Sequence, residues 1–548
     1  MAVMSDERAI RGMQSAQGHT DAALAIGSTN PENPVGVPNP ATEIVNDDMR
    51  AFIAAHRHEN VTGLALKAKR TDLFDMPTAL DQIEGWQIAG KKLPQWAACD
   101  GIIYPPHISM EQCSSQFTAL YKAEIAHRLL CGAGTDTVPE SSMVDLTGGF
   151  GVDFSFLARE FARATYVERQ ARLCAIAAHN MAELGLSHAR IVQGDGVEYL
   201  RAMRPTTMIY IDPARRDEHG ARTYAIADCT PNVLTLRDLL LAKARFTLIK
   251  LSPMLDWRKA VADFGGAVRE VHIVSTGNEC KELLLVLAAD GGAHAENGAN
   301  TAAAVSVEGM IGVDRADGAD GAERAGSADG ADGAERAGSA DGADGAERAN
   351  DVDGVDGAGS ADGVDSVWSA HAMIAGRTAK SVSADASSFA VDCGFAPHVY
   401  CVNDGQRIDY DAAVYTRGLR IGTAPLPPVR FLYEPNASIM KAGCFDLIEE
   451  RFGVTQIGPS SHLFVSDTAI ADFPGRGFVV EAMGGMGKKE VRRLLNGTKR
   501  ANIAVRNFPL TAPQLRKKLK LADGGDVYLF GTTMQGGEHM LIRTKKLA

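Results

Sequence analysis

A chain of 548 residues is too long for one hydrophobic core, and a typical domain of about 150 residues predicts three or four units. Hydrophobic residues make up 45% and aromatic residues 6% of the chain, which fits folded domains joined by less structured segments. The longest apolar runs, such as residues 283–289, fall far short of the roughly 20 residues of a membrane helix, and the N-terminus lacks a secretory signal pattern. We therefore expect a cytoplasmic protein without a membrane span.

The nine cysteines are scattered along the chain without a CxxC pair. This pattern favours reduced structural thiols over a metal or redox site, so we expect no bound metal. The net charge is −12, but residues 312–366 alone contain 15 acidic and 4 basic side chains. The acidic character of the chain is thus concentrated in one segment.

The N-terminal part of the chain changes character near residue 45. Residues 1–45 are rich in Pro, Asn, Gly and Ser, and we expect a disordered N-terminus there. Beyond it, Asp75 can cap a helix with Pro77 in its first turn. Ser109 and Gln112 form a capping-box pattern at the start of a helix expected to run towards Leu130. These signals predict a helical N-terminal domain over residues 46–135.

From Met143 onwards, short β-rich runs alternate with helical segments. Seven strands are predicted, at residues 143–146, 165–167, 190–192, 207–211, 246–251, 271–275 and 283–287. The first five are separated by segments long enough for the helical crossovers that parallel strands require, whereas the last two are joined by a few residues and can pair antiparallel. The alternation predicts an open α/β sheet in residues 136–290.

A glycine-rich turn, DLTGGFGVD, follows the first predicted strand at residues 145–153. Glycines permit positive φ angles and close approach of a ligand to the backbone, and the following helix offers unpaired N–H groups. The candidate binding residues in this turn are Asp145, Thr147, Gly148, Gly149 and Gly151. Because such a turn also serves to pack a helix against a sheet, the turn alone leaves binding and packing equally open.

Acidic residues end the next two predicted strands. Glu168 lies 19 residues beyond Gly149, where a carboxylate can accept hydrogen bonds from both hydroxyls of a ribose. Asp195 follows the third strand and can accept a hydrogen bond from an adenine amino group. A surface position would explain either acid alone, but their shared placement at the ends of neighbouring strands indicates a nucleoside site.

This pattern resembles the Rossmann-like S-adenosylmethionine-dependent methyltransferases over roughly residues 140–290, and DLTGGFGVD looks like their first motif. The turn departs from GxGxxG, and a sulfonium cofactor has no pyrophosphate to bind, which disfavours an NAD enzyme. The resemblance implies S-adenosyl-L-methionine as the cofactor. It places Asp145 near the methionine amine, Glu168 at the ribose and Asp195 at the adenine.

The fourth predicted strand ends in Asp212-Pro213-Ala214-Arg215, which is similar to the Asp-Pro-Pro-aromatic motif of methyltransferases that act on base amines. The Asp212 carboxylate and the Pro213 carbonyl can accept the N–H groups of such an amine, and proline fixes the loop. Here Ala214 replaces the second proline. Arg215 replaces the aromatic residue, although a guanidinium can stack on a base or bind phosphate. The alternative is that Asp212 and Pro213 merely end a strand.

Other residues near this loop limit the chemistry. Ser252, which follows the fifth strand, is a candidate substrate-pocket residue, whereas Lys250 can equally be structural. Methylation at carbon 5 of a pyrimidine needs a cysteine nucleophile, and Cys229 lies 17 residues beyond Asp212. The sequence therefore favours transfer to an amine.

Residues 291–385 are predicted to be a low-complexity acidic insertion. A 12-residue repeat, ADGADGAERAGS, begins at Ala316, recurs at Ala328 and starts again at Ala340. Its few bulky apolar groups cannot offset the entropy of ordering. A calcium-binding repeat is the alternative, but the apolar position of a stacked β-helix and the EF-hand spacing are both missing.

Two small α/β domains are predicted after the insertion, at residues 386–475 and 476–548. The second has a strand-helix-strand-helix-strand-strand pattern, and its 15 basic and 5 acidic side chains favour nucleic-acid binding over merely solvated helix faces. Phe508, Tyr528 and Phe530 can stack on bases or belong to the core. The cations expected to contact RNA are Lys488, Lys489, Arg492, Arg493, Lys499, Arg500, Arg516 and Lys517.

Several stretches of the chain, including DPARR, FLYEPNASIMKAG, SSHLFVSD and RNFPLTAPQLRKKLKLADGGDVYLFGTT, resemble a bacterial family of predicted methyltransferases that end in ferredoxin-like and THUMP-like domains. The resemblance covers nearly all of the chain except the first 45 residues and the repeats. It implies RNA binding, because THUMP domains bind RNA, although they usually precede the catalytic domain. In the ferredoxin-like part, Glu434, Asn436, Lys441 and His462 are expected to pack rather than to react.

The combined reading is an RNA methyltransferase that modifies an exocyclic base amine in rRNA or tRNA. Two alternatives stay open at this point. One is a non-catalytic RNA-binding factor that retains the methyltransferase fold, and the other is a methyltransferase acting on a small molecule or a protein.

Overall fold

The computed structural model describes residues 44–67, 71–132, 140–215, 226–289, 396–415 and 426–547. All of them belong to one unit of the chain, Met1–Ala293 with Lys380–Ala548. Residues 1–43 of the predicted N-terminal segment lie outside the described residues. So does the repeat insertion, together with its calcium-binding alternative.

The described part before the first strand is helical. Its helices are α1 Asp47–His56, α2 Val61–Lys67, α3 Met76–Lys92, α4 Pro94–Ala97, α5 His107–Gln112 and α6 Gln116–Cys131. The predicted cap of α3 is confirmed, because the Asp75 side chain accepts a hydrogen bond from Thr78 N at 2.9 Å. A helical N-terminal domain is therefore present.

The single helix predicted from Ser109 towards Leu130 is wrong. The chain forms α5, leaves helical geometry at Cys113 and starts again as α6. The second start has its own cap, because the Ser115 side chain accepts a hydrogen bond from Thr118 N at 3.3 Å. The short break matters for the site, since it places Ser114 in the protein interior.

The first sheet has nine strands in the order β11-β10-β8-β9-β7-β4-β1-β2-β3. The strands are β1 Ser142–Asp145, β2 Arg163–Glu168, β3 Ala189–Gln193, β4 Thr206–Ile211, β7 Ala244–Leu251, β8 Val268–Thr276, β9 Glu279–Leu287, β10 His398–Asn403 and β11 Gln406–Asp411. A separate two-stranded ribbon pairs β5 Ala214–Arg215 with β6 Cys229–Thr230. The seven strands predicted between residues 143 and 287 are all present.

Pairing within this sheet follows the predicted pattern. Strands β3, β2, β1, β4 and β7 run parallel, and helices separate them along the chain. Strand β9 is antiparallel to both β7 and β8, as the short connection between the last two predicted strands indicated. The five parallel strands therefore present their carboxyl ends at one edge.

Two strands from beyond the insertion extend the sheet, which differs from the predicted domain boundary at residue 386. Strand β10 lies parallel to β8, with His398 opposite Glu270, and β11 pairs with β10. The sequence shows that these residues form strands, but it does not show their partners. The first sheet is thus completed by residues that the sequence predicts to belong to the following domain.

Helices cover both faces of the first sheet. The N-terminal helices pack on one face together with α7 Val152–Leu157 and α8 Ala171–Glu183, in a core that contains Trp96, Ile125 and Ile176. The other face carries α9 Gly196–Ala202, α10 Val233–Lys243 and α11 Trp257–Asp263. Two helices from after the insertion, α13 Ala437–Ala442 and α14 Phe445–Phe452, pack on the same side.

The C-terminal part forms a second sheet of seven strands, in the order β13-β14-β12-β15-β18-β17-β16. Its strands are β12 Phe431–Pro435, β13 Thr455–Gln456, β14 Phe464–Ser466, β15 Gly475–Gly485, β16 Asn502–Arg506, β17 Val527–Thr533 and β18 His539–Lys546. The short helix α12 Ala412–Tyr415 precedes this sheet in sequence. Helix α15 Lys488–Leu495 connects β15 to β16, and α16 Ala512–Leu519 connects β16 to β17. Because β12 pairs with β15, the two small domains share one continuous sheet.

Helices α15 and α16 cover one face of this second sheet through a common core that includes Leu494 and Leu515. A separate core contains Leu432, Leu463 and Phe530. Among the described helices, none combines the length and the apolar character that crossing a bilayer requires.

Candidate functional site

The predicted site residues follow the carboxyl ends of β1, β2, β3 and β4, and backbone hydrogen bonds tie the loops together. Leu146 N donates to Tyr210 O at 3.0 Å, and Gly148 N donates to Val167 O at 2.9 Å. Gly194 N donates to Glu168 O at 2.9 Å. The loops after four strands therefore lie side by side along one edge of the sheet.

The glycine turn packs tightly against the Tyr166 side chain of β2. A Cβ atom added to Gly148 would lie 2.2 Å from the ring of Tyr166, which no side chain tolerates. Gly149 and Gly151 have φ angles of 56° and 85°, in the left-handed region that favours glycine. The Tyr166 hydroxyl donates to Gly149 O at 2.5 Å and fixes the turn over the sheet.

Glu168 is held by the backbone rather than by a cation. Its Oε2 accepts a hydrogen bond from Gly149 N at 3.1 Å, and its Oε1 accepts one from Gln170 N at 2.9 Å. The carboxylate is only partly buried, and each oxygen keeps a lone pair for a further donor. This geometry suits a carboxylate that receives two hydroxyl groups.

Asp195 has a structural role that the sequence analysis did not foresee. It is the N-cap of α9, and its Oδ1 accepts hydrogen bonds from Val197 N at 2.9 Å and Glu198 N at 3.1 Å. Its Oδ2 lies 4.0 Å from the Arg169 guanidinium, and the side chain is 44% exposed. Helix capping thus accounts for one oxygen and leaves the other at the edge of the sheet.

Asp145 and Thr147 connect the glycine turn to the acceptor loop. Burial raises the pKa of Asp145 to about 8, although the hydrogen bond from Thr147 N, 2.9 Å from Oδ1, opposes the shift. The Thr147 hydroxyl oxygen accepts a hydrogen bond from Asp212 N at 2.7 Å. The start of the acceptor loop is therefore fixed directly by the glycine turn.

Asp212 follows β4 with its side chain 40% exposed, and its Oδ2 lies 2.7 Å from Lys250 Nζ. Pro213 is buried behind it. Arg215 lies in β5, opposite Cys229 of β6, and its side chain is outside the described part. The loop thus presents one carboxylate towards solvent while proline anchors its start.

The pairing of β5 with β6 qualifies the sequence argument about Cys229. Although this residue is distant along the chain, the ribbon brings its backbone beside Arg215. The cysteine is 7% exposed. Its burial, and not its sequence separation, is what argues against a cysteine nucleophile at the loop surface.

Ser252 forms a turn after β7, where its Oγ accepts a hydrogen bond from Met254 N at 3.2 Å. This contact stabilises the turn.

Sequence reasoning missed a group of buried polar side chains behind Asp212. The group comprises Ser114, Lys122, Asp153, Tyr210 and Glu282, which are connected by hydrogen bonds and ion pairs. Two signals were available, namely a lysine inside the apolar pattern of a helix and the final Asp of DLTGGFGVD. Neither reveals its partner, because Lys122 and Glu282 are 160 residues apart in sequence.

The predicted RNA-contacting cations divide into two groups. Lys488, Lys489, Arg492 and Arg493 on α15, Lys499 in the next loop and Lys517 on α16 are exposed. Arg500 and Arg516 instead bind Asp523, through its backbone carbonyl and its carboxylate respectively. Both helices pack on the same face of the second sheet, so the exposed cations share one side of the domain.

The aromatic and middle-domain residues serve mainly as packing. Phe530 is fully buried, which excludes base stacking by this residue. Glu434 is 3% exposed and forms ion pairs with Arg476 and Arg506, while Asn436 caps α13 by accepting from Ile439 N at 3.2 Å. Within the described ranges, no group of three or more His, Cys, Asp or Glu side chains is arranged to hold a metal ion.

Comparison with known proteins identifies the C-terminal domains. Residues 431–474 match the family model of a ferredoxin-like domain, and residues 475–546 match that of a THUMP domain-like family. The chain therefore ends in a ferredoxin-like and a THUMP-like domain. The first match starts at β12, in agreement with the assignment of β10 and β11 to the first sheet. A comparison with curated proteins found no match.

The whole fold is similar to the crystal structure of a candidate methyltransferase from Porphyromonas gingivalis W83. The TM-score is 0.63 at 24% sequence identity, with 92% of this chain and 99% of that chain covered. This similarity confirms the Rossmann-like α/β fold.

Two further solved structures are much less similar overall. A candidate methyltransferase of Streptococcus mutans in complex with SAH has a TM-score of 0.23 at 14% identity and covers 30% of this chain and 95% of its own. An rRNA methylase from Streptococcus thermophilus has a TM-score of 0.23 at 16% identity, with coverages of 30% and 94%. Similarity at these scores carries no argument about this protein.

Proposed function

We propose that this protein is an S-adenosyl-L-methionine-dependent methyltransferase that modifies an exocyclic base amine in rRNA or tRNA. The observation that carries the proposal is the 2.7 Å hydrogen bond from Asp212 N to the Thr147 hydroxyl. It joins the glycine turn, which suits a nucleoside cofactor, to the loop that presents an acceptor carboxylate. A cofactor and an amine bound at these two loops would therefore be neighbours.

The residues at the sheet edge fit the proposed cofactor. Gly149 is partly exposed, and a Cβ added there would have only the Thr147 carbonyl oxygen nearby, at 3.7 Å, so a ligand can approach the backbone of the turn at this residue. Glu168 would hold the ribose hydroxyls, Asp195 the adenine amine through Oδ2, and Asp145 and Thr147 the methionine end through the loop of Gly149 and Gly151. When bound, S-adenosylmethionine supplies a methyl group on a sulfonium sulfur.

The acceptor loop would orient the amine. A base amine has its lone pair delocalised into the ring, so acceptors that hold its N–H groups favour the geometry needed for attack. Asp212 and the Pro213 carbonyl can provide those acceptors. Burial raises the pKa of Asp212, and the lysine beside it opposes this shift and so favours the ionised carboxylate, which accepts hydrogen bonds more strongly than the acid form. Ser252, in the turn after β7, and Arg215 of β5 are proposed as further substrate contacts.

RNA as the substrate is supported by the C-terminal domain. THUMP domains bind RNA, and this THUMP-like domain exposes a set of cations on one side. Each phosphate contact releases counterions, so binding through these residues should weaken steeply with salt. The proposed contacts are Lys488, Lys489, Arg492, Arg493, Lys499 and Lys517, with Arg500 and Arg516 partly occupied by Asp523.

The cofactor and acceptor roles are tested in one set of variants. Calorimetric titration of S-adenosylmethionine should give binding to the wild type and much weaker binding to Glu168→Ala. Asp212→Ala should bind the cofactor nearly as well as the wild type but transfer methyl groups about 100-fold more slowly. Transfer is measured with tritiated cofactor and RNA from a strain that lacks the gene.

Glu198→Ala, an exposed residue of α9 paired with Arg201, is the control for the carboxylate substitutions. If the wild type does not bind the cofactor, the methyltransferase proposal is refuted, and a non-catalytic RNA-binding factor is the alternative that stays. Full methyl transfer by Asp212→Ala would refute the role of this residue.

The RNA interface is tested by charge reversal rather than by deletion, because β15 completes the sheet of the preceding domain. Lys488→Glu combined with Lys489→Glu should weaken RNA binding and flatten its salt dependence. The matched control reverses Lys67 and Lys91, two exposed lysines of α2 and α3. Equal effects of the two double variants would argue against a specific interface and favour a small-molecule or protein substrate.

A further inference from the structure

Six side chains form a continuous chain of hydrogen bonds and ion pairs behind the acceptor loop. We call them the buried ion chain, and they are Ser114, Lys122, Asp153, Asp212, Lys250 and Glu282. Lys122 is completely buried, whereas Asp212 is 40% exposed. The buried ion chain therefore runs from the protein interior to the surface of the proposed site.

All three N–H donors of the Lys250 ammonium group have a partner. Its Nζ lies 2.7 Å from Asp212 Oδ2, 3.2 Å from Ser114 Oγ and 3.4 Å from Asp153 Oδ2. An ammonium group has three N–H donors, so a substrate could reach Lys250 only by displacing one of these contacts. Asp212 is different, because no hydrogen bond reaches its Oδ1 from the part of the chain that the structure describes.

The more deeply buried members of the buried ion chain hold Lys250 on the side away from Asp212. Lys122 Nζ lies 3.1 Å from Asp153 Oδ1 and 2.5 Å from Glu282 Oε2. The Tyr210 hydroxyl donates to Asp153 Oδ2 at 2.7 Å. Asp153 is therefore fixed between two ammonium groups, which lower its pKa against the effect of burial.

Ser114 joins the two halves at their centre. Its hydroxyl lies 2.8 Å from Asp153 Oδ2 and 3.0 Å from Glu282 Oε1, and it accepts hydrogen bonds from Lys122 and Lys250. Ser114 and Lys122 belong to the helical N-terminal domain, whereas the other members belong to the first sheet and α7. The break between α5 and α6 is what places Ser114 in this position.

We propose that Lys250 is a positioning residue that orients the Asp212 carboxylate and favours its ionised form, while Asp153 of α7 holds Lys250 in place and Lys122 of the N-terminal domain holds Asp153. The inference rests on the proposed function only in taking Asp212 as the acceptor for the substrate amine. Lys250 engages Oδ2 and leaves Oδ1 to receive an N–H group. The helical domain thus contributes to the geometry of the reacting loop.

The first test measures the Asp212 carboxyl group itself and needs no catalytic activity. Carbon-13 NMR of the full chain labelled at aspartate carboxyls, with Asp212→Asn to assign the signal, gives the pKa of this group. Lys250→Met should raise that pKa by about 1–3 units, because an adjacent opposite charge favours ionisation. The matched control is Lys259→Met, which removes an exposed lysine paired with Asp263 on α11. An unchanged pKa of Asp212 in Lys250→Met would overturn the proposal.

The second test uses the pH dependence of methyl transfer. Lys250→Met should move the acidic limb of kcat to higher pH and lower kcat, with the KM for S-adenosylmethionine little changed. A merely structural lysine would alter stability without moving this limb, so an unmoved limb would also overturn the proposal. Absence of transfer by the wild type would instead contradict the proposed function, and the NMR result would still decide the role of Lys250.

A variant with balanced charges serves as the control for loss of folding. Lys250→Met leaves the buried carboxylates with one cation fewer, which destabilises the fold. The double variant Lys250→Met with Asp153→Asn removes one charge of each sign and is measured in parallel. Asp153 itself raises the pKa of Asp212, so the double variant is compared with Asp153→Asn alone. Relative to that variant the pKa of Asp212 should rise, and no rise would contradict the positioning role.

Discussion

Asp145 shows how one buried carboxyl group can link stability to pH. It is 1% exposed, lies at the end of β1 and has its pKa raised by burial to about 8. A carboxyl group that gains a proton on folding makes the protein less stable as pH rises from its unfolded pKa near 4 to about 8. The cost of this charged form is then fully present above pH 8.

The residue-scale prediction follows from this loss of stability with rising pH. Asp145→Asn should raise the melting temperature at pH 9 by at least about 3 °C, because the variant avoids a buried charge. Near pH 4 the difference should vanish. Calorimetry at both pH values measures it, with Asp238→Asn on the exposed surface of α10 as the control. Equal melting temperatures of wild type and Asp145→Asn at pH 9 would show that Asp145 is not destabilising when ionised.

At the scale of elements, helix α6 is joined to the first sheet by an ion pair whose carboxylate is largely buried. Arg128 on α6 donates to both carboxylate oxygens of Glu270 on β8, at 2.8 and 2.5 Å. His272 Nε2 lies 3.1 Å from the same carboxylate, and its Nδ1 lies 2.8 Å from the Tyr121 hydroxyl. Burial opposes ionisation of Glu270, but the bonds from Arg128 and His272 lower its pKa to about 2.

The element-scale prediction is a pH-dependent loss of stability in Glu270→Gln. A lowered pKa stabilises the fold above the unfolded value of about 4.5, and this contribution is lost as pH falls through about 2. At pH 7 the variant should lose about 2 kcal/mol of unfolding free energy, and the deficit should shrink towards pH 3. Denaturant titrations at a series of pH values test this.

A matched pair on the same helix provides the control. Glu124 of α6 binds Arg407 of β11, but both side chains are about half exposed. Because solvent screens such a pair, Glu124→Gln should cost far less than Glu270→Gln. A similar cost for the two variants would show that burial of the Glu270 contact is not what stabilises it.

At the scale of the whole molecule, the first sheet joins two stretches of chain that are distant in sequence. Strand β9 ends opposite Val268, and β10 begins opposite Glu270 on the other side of β8. The two ends are therefore separated by about two strand spacings, or roughly 10 Å. A connection of about six residues can span this distance.

The whole-molecule prediction is that residues 290–395 can be replaced by a short linker. A chain with six Gly and Ser residues in their place should retain the β8–β10 pairing and a melting temperature within about 3 °C of the wild type. Circular dichroism and thermal denaturation measure this result. A control that also removes β10 and β11 should be strongly destabilised. Loss of folding in the linker variant alone would mean that the replaced residues support the first sheet.

Part of the site could be predicted because it depends on local patterns. The strand positions, the glycine turn and the acids at strand ends follow from hydrophobic periodicity and from the geometry of parallel strands. Glu168 at the end of β2 and Asp212 just after β4 lie where that reasoning placed them, and both are hydrogen-bonded to the glycine turn. Their roles in binding and transfer stay predictions.

The remaining features depend on contacts between distant residues. Sequence alone indicated seven strands, a helical N-terminal domain and a basic C-terminal domain, since charge and periodicity are properties of neighbouring residues. Only the tertiary structure decided that β10 and β11 complete the first sheet, that β15 continues the sheet of β12, and that Lys122 and Ser114 reach the acceptor loop. Each is a pairing between complementary groups far apart along the chain, and many partners satisfy the same local pattern until the folded chain selects one.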